Sequence, residues 1–262
     1  MTGSTSLHDG RRARAAGGFT LIEMAIAIAI ITLLLGSILV PLQTQVESRK
    51  YDETQRILDQ AREALIGYAA ANGRFPCPAS GTSNGAESFA AGGSAANGNC
   101  SNFFDGYLPA ATLGFTPADT QGYAVDGWGT TQNRLRYAVS NATVNAIANP
   151  FTTTSGMRSA TMSLIAAATT LLYVCNSGTG VSASNCNTAV ALALSVPVVI
   201  FSLGPNAATG GTSTDEAENL DNDRIFVSKT KSTVAGSEFD DVVTWISPGV
   251  LFSRMIAAGQ LP

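Results

Sequence analysis

The densest group of side chains able to do chemistry is a run of five carboxylates around residue 220. It comprises Asp215, Glu216, Glu218, Asp221 and Asp223. Hard oxygen ligands crowded on a loop suit Ca²⁺. The run lacks the following glycine and the twelfth-position glutamate of an EF-hand loop. The sequence therefore leaves two interpretations open, a calcium site or an acidic loop that is simply exposed to solvent.

The histidine content limits the catalytic chemistry. The 262 residues include one histidine, His8, which precedes the first apolar run. A chain that loses this N-terminal segment has no histidine, which excludes Ser-His-Asp and Cys-His nucleophile systems and His-ligated metals. No P-loop or dinucleotide-binding fingerprint is present. We therefore expect no enzyme activity and no required cofactor.

The four cysteines, Cys77, Cys100, Cys175 and Cys186, have no CxxC spacing, which argues against zinc-ribbon and thioredoxin-like sites. An even number in an exported chain suggests two disulfides formed in an oxidising compartment. The short separations favour the local pairs Cys77–Cys100 and Cys175–Cys186. The alternative is four reduced, buried thiols.

The charge distribution points to a membrane rather than to nucleic acid. The chain has 15 Lys and Arg residues against 19 Asp and Glu residues, a formal net charge of -4, so nucleic acid is not expected as the main partner. Arg11, Arg12 and Arg14 precede an apolar run at 19–40 whose one charge is Glu23. A helix of that length spans a bilayer core of about 30 Å. The arginines predict a cytoplasmic N-terminus and an exported remainder.

Three export signals fit an N-terminal apolar run, and the residues favour the third. A signal peptide would have a small-x-small cleavage site after the apolar run, but none follows in 41–50. A lipoprotein needs a cysteine at the cleavage point, and the first cysteine is Cys77. Residues 17–24, Gly-Gly-Phe-Thr-Leu-Ile-Glu-Met, resemble the type IV prepilin recognition site. In that family a membrane aspartyl peptidase cuts after the glycine corresponding to Gly18 and methylates the new N-terminus, here Phe19.

Glu23 supports the same resemblance. A carboxylate within an apolar helix costs several kcal/mol unless it is paired, with insertion scales giving about 2.5–3.5 kcal/mol for Asp at a helix centre. The resemblance implies that Glu23 pairs with the N-terminal amine of a neighbouring subunit, here that of Phe19. The alternative is a plain single-pass anchor in which the glutamate has no role.

Beyond Pro41 the apolar pattern becomes amphipathic, and Asn72-Gly73 is a good helix stop. We predict one helix from about Thr20 to Asn72, kinked at Pro41. Its apolar stripe comprises Leu42, Val46, Ile57, Leu58, Ala61, Leu65 and Tyr68. The chain then divides into a removed basic leader at 1–18, a transmembrane or filament-core helix at 19–41, an amphipathic half at 42–72 and a globular head at 73–262.

The head is predicted to be a small antiparallel β-sheet. Residues 73–132 are rich in Gly, Ser, Asn and Ala, which predicts a long loop closed by Cys77–Cys100. Strand patterns occur at 134–139, 171–175, 196–202, 224–229 and 242–246, and a short helix follows Pro248. The apolar stretches 157–176 and 190–203 are interpreted as core rather than as a second membrane helix. The predicted fold class is α+β, with the long helix packed on the sheet in a pilin-like arrangement.

Parts of the head also resemble pseudopilins. Residues 126–129, Asp-Gly-Trp-Gly, are similar to a turn that precedes the first sheet strand in that family. The C-terminal third, including Ser202–Asn206 and Phe239–Val243, resembles one branch of prepilin-like proteins. Some major pseudopilins hold calcium in a loop after the last strands, which favours Ca²⁺ at the acidic run.

The resemblance implies a structural subunit of a type IV filament that serves type II secretion. A minor type IV pilin for adhesion, motility or DNA uptake is the alternative, and a membrane-tethered periplasmic binding or sensor protein is a third possibility. The implied partners are the prepilin peptidase, other pilin or pseudopilin subunits, the inner-membrane assembly platform and the lipid bilayer. The implied location is the bacterial inner membrane with a periplasmic head, followed by a periplasmic or surface filament.

Overall fold

The computed structural model describes residues 18–168, 170–211 and 213–261, without the side chains of 35, 37–43, 166 and 167. The predicted leader lies outside the described residues as far as residue 17. The chain divides after Glu47 into two units, which are described separately below.

Helix α1 spans Leu21–Asn72, which confirms the predicted long helix, and it continues through Pro41. It ends where Gly73 takes a left-handed conformation, φ 69°, and donates its N–H to the carbonyl of Ala69. Nowhere in the described part of the chain is a helical segment both long enough and apolar enough to cross a membrane. The transmembrane assignment of 19–41 therefore stays a prediction.

The second half of α1 provides one wall of the core of the head. Ile57, Leu58, Ala61 and Leu65 are fully buried at helical spacing, as the amphipathic pattern predicts. Each buried leucine or isoleucine contributes about 1.5–3 kcal/mol. The stripe is less complete than predicted, because Val46 is exposed and Tyr68 is half-buried. The side chain of Leu42 lies outside the description.

The head contains nine strands and five short helices in its described residues. The strands are β1 Gly106–Tyr107, β2 Arg136–Val139, β3 Thr143–Val144, β4 Ile147–Ala148, β5 Leu172–Cys175, β6 Ala191–Val196, β7 Val198–Ser202, β8 Ile225–Val227 and β9 Val242–Ile246. The helices are α2 Ala110–Leu113, α3 Gly156–Ser159, α4 Met162–Ala167, α5 Thr214–Glu218 and α6 Pro248–Ala257. The α+β fold class is therefore confirmed.

Two main sheets form, where the sequence predicted one. The first is antiparallel with strand order β1-β2-β7-β9, and its buried face packs with α1 in the largest core cluster. The second has the order β6-β5-β8, and its β5–β8 pair is parallel. A parallel pair needs a long crossover. Here the crossover includes β6, β7 and α5. The residue pattern within each strand does not predict such a long connection.

Three sequence predictions about the head are wrong in part. The short strand β1 precedes the 126–129 turn, so the strand after that turn is not the first of the sheet. The stretches at 157–176 and 190–203 are not wholly core, because Met162, Val190, Leu192 and Leu194 are 48% to 62% exposed while β7 is fully buried. Met162 lies on α4, Val190 directly precedes the edge strand β6, and Leu192 and Leu194 lie on that strand.

The cysteines form two disulfides, and they are the local pairs. Cys77 and Cys100 have a Cα–Cα distance of 5.3 Å, and Cys175 and Cys186 have one of 5.7 Å. The first bond closes the loop that follows α1. The second joins the end of β5 to the loop that precedes β6.

Candidate processing and assembly site

The junction between Gly18 and Phe19 is open. Residues 18–20 are not helical, and α1 begins at Leu21. A side chain at Gly18 would meet no described atom within 4 Å, and the side chain of Phe19 is 82% exposed. Peptidases cut exposed, non-helical backbone, so this peptide bond is sterically available.

Thr20 and Glu23 form a reciprocal capping box at the start of α1. The N–H and the hydroxyl of Thr20 each donate to Glu23 Oε2 at 3.0 Å. The N–H of Glu23 donates to Thr20 Oγ1 at 3.3 Å. This arrangement satisfies two helix-start N–H groups that would otherwise lack a partner.

The capping box gives the carboxylate of Glu23 local partners within its own chain. Sequence reasoning identified Glu23 but missed Thr20. The Thr-x-x-Glu spacing at 20–23 is the signal that finds it, because this spacing is the sequence signature of a capping box.

In the head, the turn at 126–129 joins the first sheet to α1. The buried Asp126 accepts hydrogen bonds from the Trp128 N–H at 2.8 Å and from Ser202 Oγ on β7 at 2.5 Å. Burial raises the pKa of Asp126 despite these hydrogen bonds. The Gly127 N–H donates to Thr54 Oγ1 on α1 at 3.0 Å. The turn therefore links β7 to α1 through one hydrogen bond to each element.

Residues 13–39 match the family model of the prokaryotic N-terminal methylation motif. The chain carries a prepilin-type N-terminal methylation motif. The motif is consistent with the type IV pilin and pseudopilin superfamily, and it implies processing by a prepilin peptidase and assembly with other pilin subunits. No curated protein and no solved structure matches the chain.

Beyond this prepilin-type segment, the five predicted acidic ligands have different partners in the structure. Asp215 is engaged by Lys229 Nζ, by Ser177 Oγ at 3.0 Å and by the Gly178 N–H at 2.7 Å. Burial acts to raise the pKa of Asp215, but these donors outweigh it and hold the pKa below its usual range. The carboxylate of Glu216 accepts from Asn206 Nδ2 at 3.1 Å. Asp215 and Glu216 therefore have hydrogen-bond partners of their own, and a carboxylate oxygen of Glu216 lies within 4.8 Å of those of Asp240 and Asp241. The metal role of the five-residue run stays a prediction.

Glu218, Asp221 and Asp223 remain together, with oxygens that lie within 4.8 Å of one another. Burial, followed by repulsion from Asp221 and Asp223, raises the pKa of Glu218 to about 7. Burial and the neighbouring Asp223 raise the pKa of Asp221 to about 6. Ca²⁺ takes six to eight oxygen ligands, so these three carboxylates would supply part of a calcium shell.

Asp241 is a buried carboxylate outside the predicted acidic run. It accepts a hydrogen bond from Asn219 Nδ2 at 2.7 Å, and Glu216 and Asp240 lie close to it. Burial, with the added repulsion of Glu216 and Asp240, raises the pKa of Asp241 to about 8. Two successive acids directly before a strand are the available signal, because side chains alternate in direction there and one points inward.

Proposed function

We propose that the chain is a structural subunit of a type IV filament, cleaved after Gly18 and methylated at Phe19. The observation that carries this proposal is the methylation motif at residues 13–39. The open Gly18–Phe19 junction supports it, because the peptidase needs access to that bond. The family is structural rather than enzymatic, so no catalytic role is proposed.

The exposed apolar surface of α1 supports the proposal that lipid covers it first and that other subunits cover it later. Ten large apolar side chains between Phe19 and Leu34 are 50% to 92% exposed. Such a surface is stable only when lipid or other apolar helices cover it. We propose that the bilayer covers it first, with the N-terminus cytoplasmic and the head periplasmic, and that neighbouring subunits cover it in the filament. A heterologous, non-closing interface then produces a filament rather than a ring.

Glu23 is proposed to change partners during this transfer. In the single chain its carboxylate is held by Thr20. Cleavage creates a positive amine at Phe19, which a neighbouring Glu23 can pair with in the low-dielectric helix bundle. That pair would fix the axial register between subunits.

Type II secretion is the system we propose, with a minor type IV pilin for adhesion, motility or DNA uptake as the alternative. The pseudopilin-like turn at 126–129 and its contacts with Thr54 and Ser202 support the secretion role. A membrane-tethered periplasmic binding or sensor protein is a third candidate, and it would not require cleavage after Gly18.

The test is deletion of the gene, with complementation by the wild-type chain as control. We expect exported enzymes to be retained in the periplasm while surface pili and twitching are unchanged. Loss of twitching or of DNA uptake with normal secretion would assign the chain to a pilus instead. Normal secretion and normal pili, with the chain uncut, would contradict both filament roles.

We also propose Glu218, Asp221 and Asp223 as the residues that would hold Ca²⁺. A bound cation relieves the repulsion among carboxylates crowded within 4.8 Å. Millimolar Ca²⁺ should then raise the Tm of the full chain in detergent, and replacement of Asp221 and Asp223 by Asn should abolish the rise. Asp52→Asn, on the exposed face of α1, is the matched control. If Ca²⁺ does not change the Tm, the calcium site is contradicted and the acidic run is a loop exposed to solvent.

A further inference from the structure

A groove runs between α1 and β9, where three cavities lie in succession. Their volumes are about 240, 200 and 350 Å³. On the strand side they are lined by residues 240–245 without a gap. Side chains of a strand alternate between its two faces, so a groove lined by consecutive residues follows the edge of the strand.

This edge of β9 is open. The strand lies at the end of the order β1-β2-β7-β9, and it pairs with β7 from Ser202↔Val242 to Val198↔Ile246. No other described strand pairs with it. Half of the N–H and C=O groups of an edge strand point away from its neighbour and are available to another extended chain.

The opposite wall is a single stripe of α1. Tyr51, Gln55, Asp59 and Arg62 follow one another at spacings of four, four and three residues, which places them on one helix face. Polar and charged side chains therefore face a strand edge across the groove. The combination suits a polypeptide better than an apolar small molecule.

Arg62 is the charged lining residue at the end of the groove beside residues 243–247, whereas the other end carries both aspartates and lysines. Its Nε is buried and has no hydrogen-bond partner among the described atoms. No described carboxylate forms an ion pair with it, in contrast to the neighbouring Arg56, which pairs with Glu53. A buried donor without a partner is destabilising, and more so when it is charged. A carboxylate entering the groove would give the guanidinium group of Arg62 an ion-pair partner.

We propose that this groove binds an extended segment of a partner protein by strand addition, and that an acidic side chain of the segment pairs with Arg62. The five residues of β9 offer backbone hydrogen bonds to a segment of similar length. A second copy of this chain is a poorer occupant. Its exposed edge strand β6 belongs to a stretch, residues 159–214, that contains no charged residue. The proposal adds a partner to the proposed filament role and does not depend on it.

The experiment uses a phage-displayed library of random twelve-residue linear peptides, panned on the full-length protein in detergent. Enriched peptides should carry an acidic residue within a strand-forming sequence, and their synthetic versions should bind. Arg62→Glu should weaken binding at least tenfold, and replacing the acidic residue of the peptide by lysine should restore it. Gln55→Trp should also weaken binding, because it fills the groove from the exposed helix side.

Arg56→Glu is the matched control, since it reverses a charge on α1 outside the groove lining and should leave binding unchanged. N-methylation of alternate peptide bonds in the synthetic peptide should abolish binding, because strand addition uses those N–H groups. Failure to enrich any peptide would overturn the proposal. So would peptides that bind Arg62→Glu and Gln55→Trp as tightly as wild type, or a Thr244→Cys variant that cross-links to a second copy of itself.

Discussion

At the scale of single residues, the carboxylate of Glu23 is satisfied within its own chain. The capping box with Thr20 provides two donors at 3.0 Å, so the carboxylate need not stay unpaired before assembly. A charge that is already hydrogen-bonded costs less to place in an apolar region than an isolated one. Glu23 can therefore have a role in assembly without preventing insertion.

Glu23→Ala is expected to separate cleavage from assembly. Insertion and cleavage after Gly18 should persist, because the peptidase reads chiefly the glycine. Entry into filaments should fail, because the amine of Phe19 in the neighbouring subunit loses its partner. The measurement compares cleaved protein in membranes with protein in sheared filaments.

Thr32→Ala is the control for that variant. It removes another polar group from the exposed N-terminal part of α1, one that bonds only to Ile28 and Ala29 carbonyls of its own helix. It should assemble like wild type. Cleaved Glu23→Ala protein found in filaments at the wild-type level would contradict the role given to Glu23.

Asp241 should make the stability of the head depend on pH. Its pKa is about 8 in the folded chain and near 3.8 when unfolded, so folding favours the protonated form. The contribution of protonated Asp241 to the free energy of unfolding is complete below about pH 4 and is lost as the pH rises through about 8. Glu218, whose pKa is about 7, adds to the fall up to about pH 8, so the contribution of Asp241 between pH 7 and 9 is the difference between wild type and a variant that lacks this carboxylate.

Asp241→Asn should flatten the fall in Tm between pH 7 and 9, because asparagine still accepts the hydrogen bond from Asn219 and carries no charge. The Tm of the full chain is measured by circular dichroism across that range. Asp52→Asn, an exposed change, should follow the wild-type curve. An Asp241→Asn curve parallel to wild type would show that Asp241 is not the titrating group.

At the scale of elements, the turn at 126–129 fits closely against α1. Tyr51 and Trp128 form an edge-to-face pair with ring centroids 4.9 Å apart. Gly127 approaches the helix so closely that an added Cβ would lie 2.5 Å from the Lys50 carbonyl and 3.0 Å from Thr54 Oγ1. A glycine is therefore required by the packing of this turn.

Gly127→Ala should destabilise the head by about 1–3 kcal/mol, because the methyl group would force the turn away from α1. Gly67→Ala is the matched opposite. Gly67 lies on an exposed part of α1, with nothing within 4 Å of an added Cβ. Alanine at this position should therefore raise the free energy of unfolding by about 0.5–1 kcal/mol. Denaturant unfolding of both variants measures the two changes. A Gly127→Ala midpoint equal to wild type would show that the close approach has no energetic weight.

Local elements could be predicted because local residues specify them. The apolar stripe and Gly73 predicted the end of α1, and the β-branched run at 242–246 predicted β9 with the same bounds. The pairing of strands could not be predicted in the same way. The parallel pairing of β5 with β8 depends on residues about fifty positions apart, and the pattern within a strand does not name its neighbour.

The candidate site was predictable to the same degree. The spacing around Gly18 and Glu23 identified the N-terminal segment, and the family model matches it. The acidic run was treated as one cluster, and its role as a metal site stays a prediction. The side chain of Asp215, in the first turn of α5, is instead held by Lys229, and it is not among the three carboxylates whose oxygens lie within 4.8 Å of one another. Spacing along the chain does not show which way such side chains point.

At the scale of the whole molecule, the features that the filament proposal uses are divided between the two units. The N-terminal unit carries the methylation motif and a surface of exposed apolar side chains. The unit from Ser48 onward carries the core, both disulfides, the acidic loop and the groove along β9. A filament subunit needs both parts, one to be covered by its neighbours and one to face the surroundings.

The most direct test of the filament role is the intact mass of the chain from cells with and without an active prepilin peptidase. We expect a mature chain of residues 19–262 that begins with N-methylphenylalanine, contains two disulfides and is absent when the peptidase is inactive. An uncut chain in cells with active peptidase, or a mature N-terminus other than Phe19, would contradict the assignment as a type IV filament subunit.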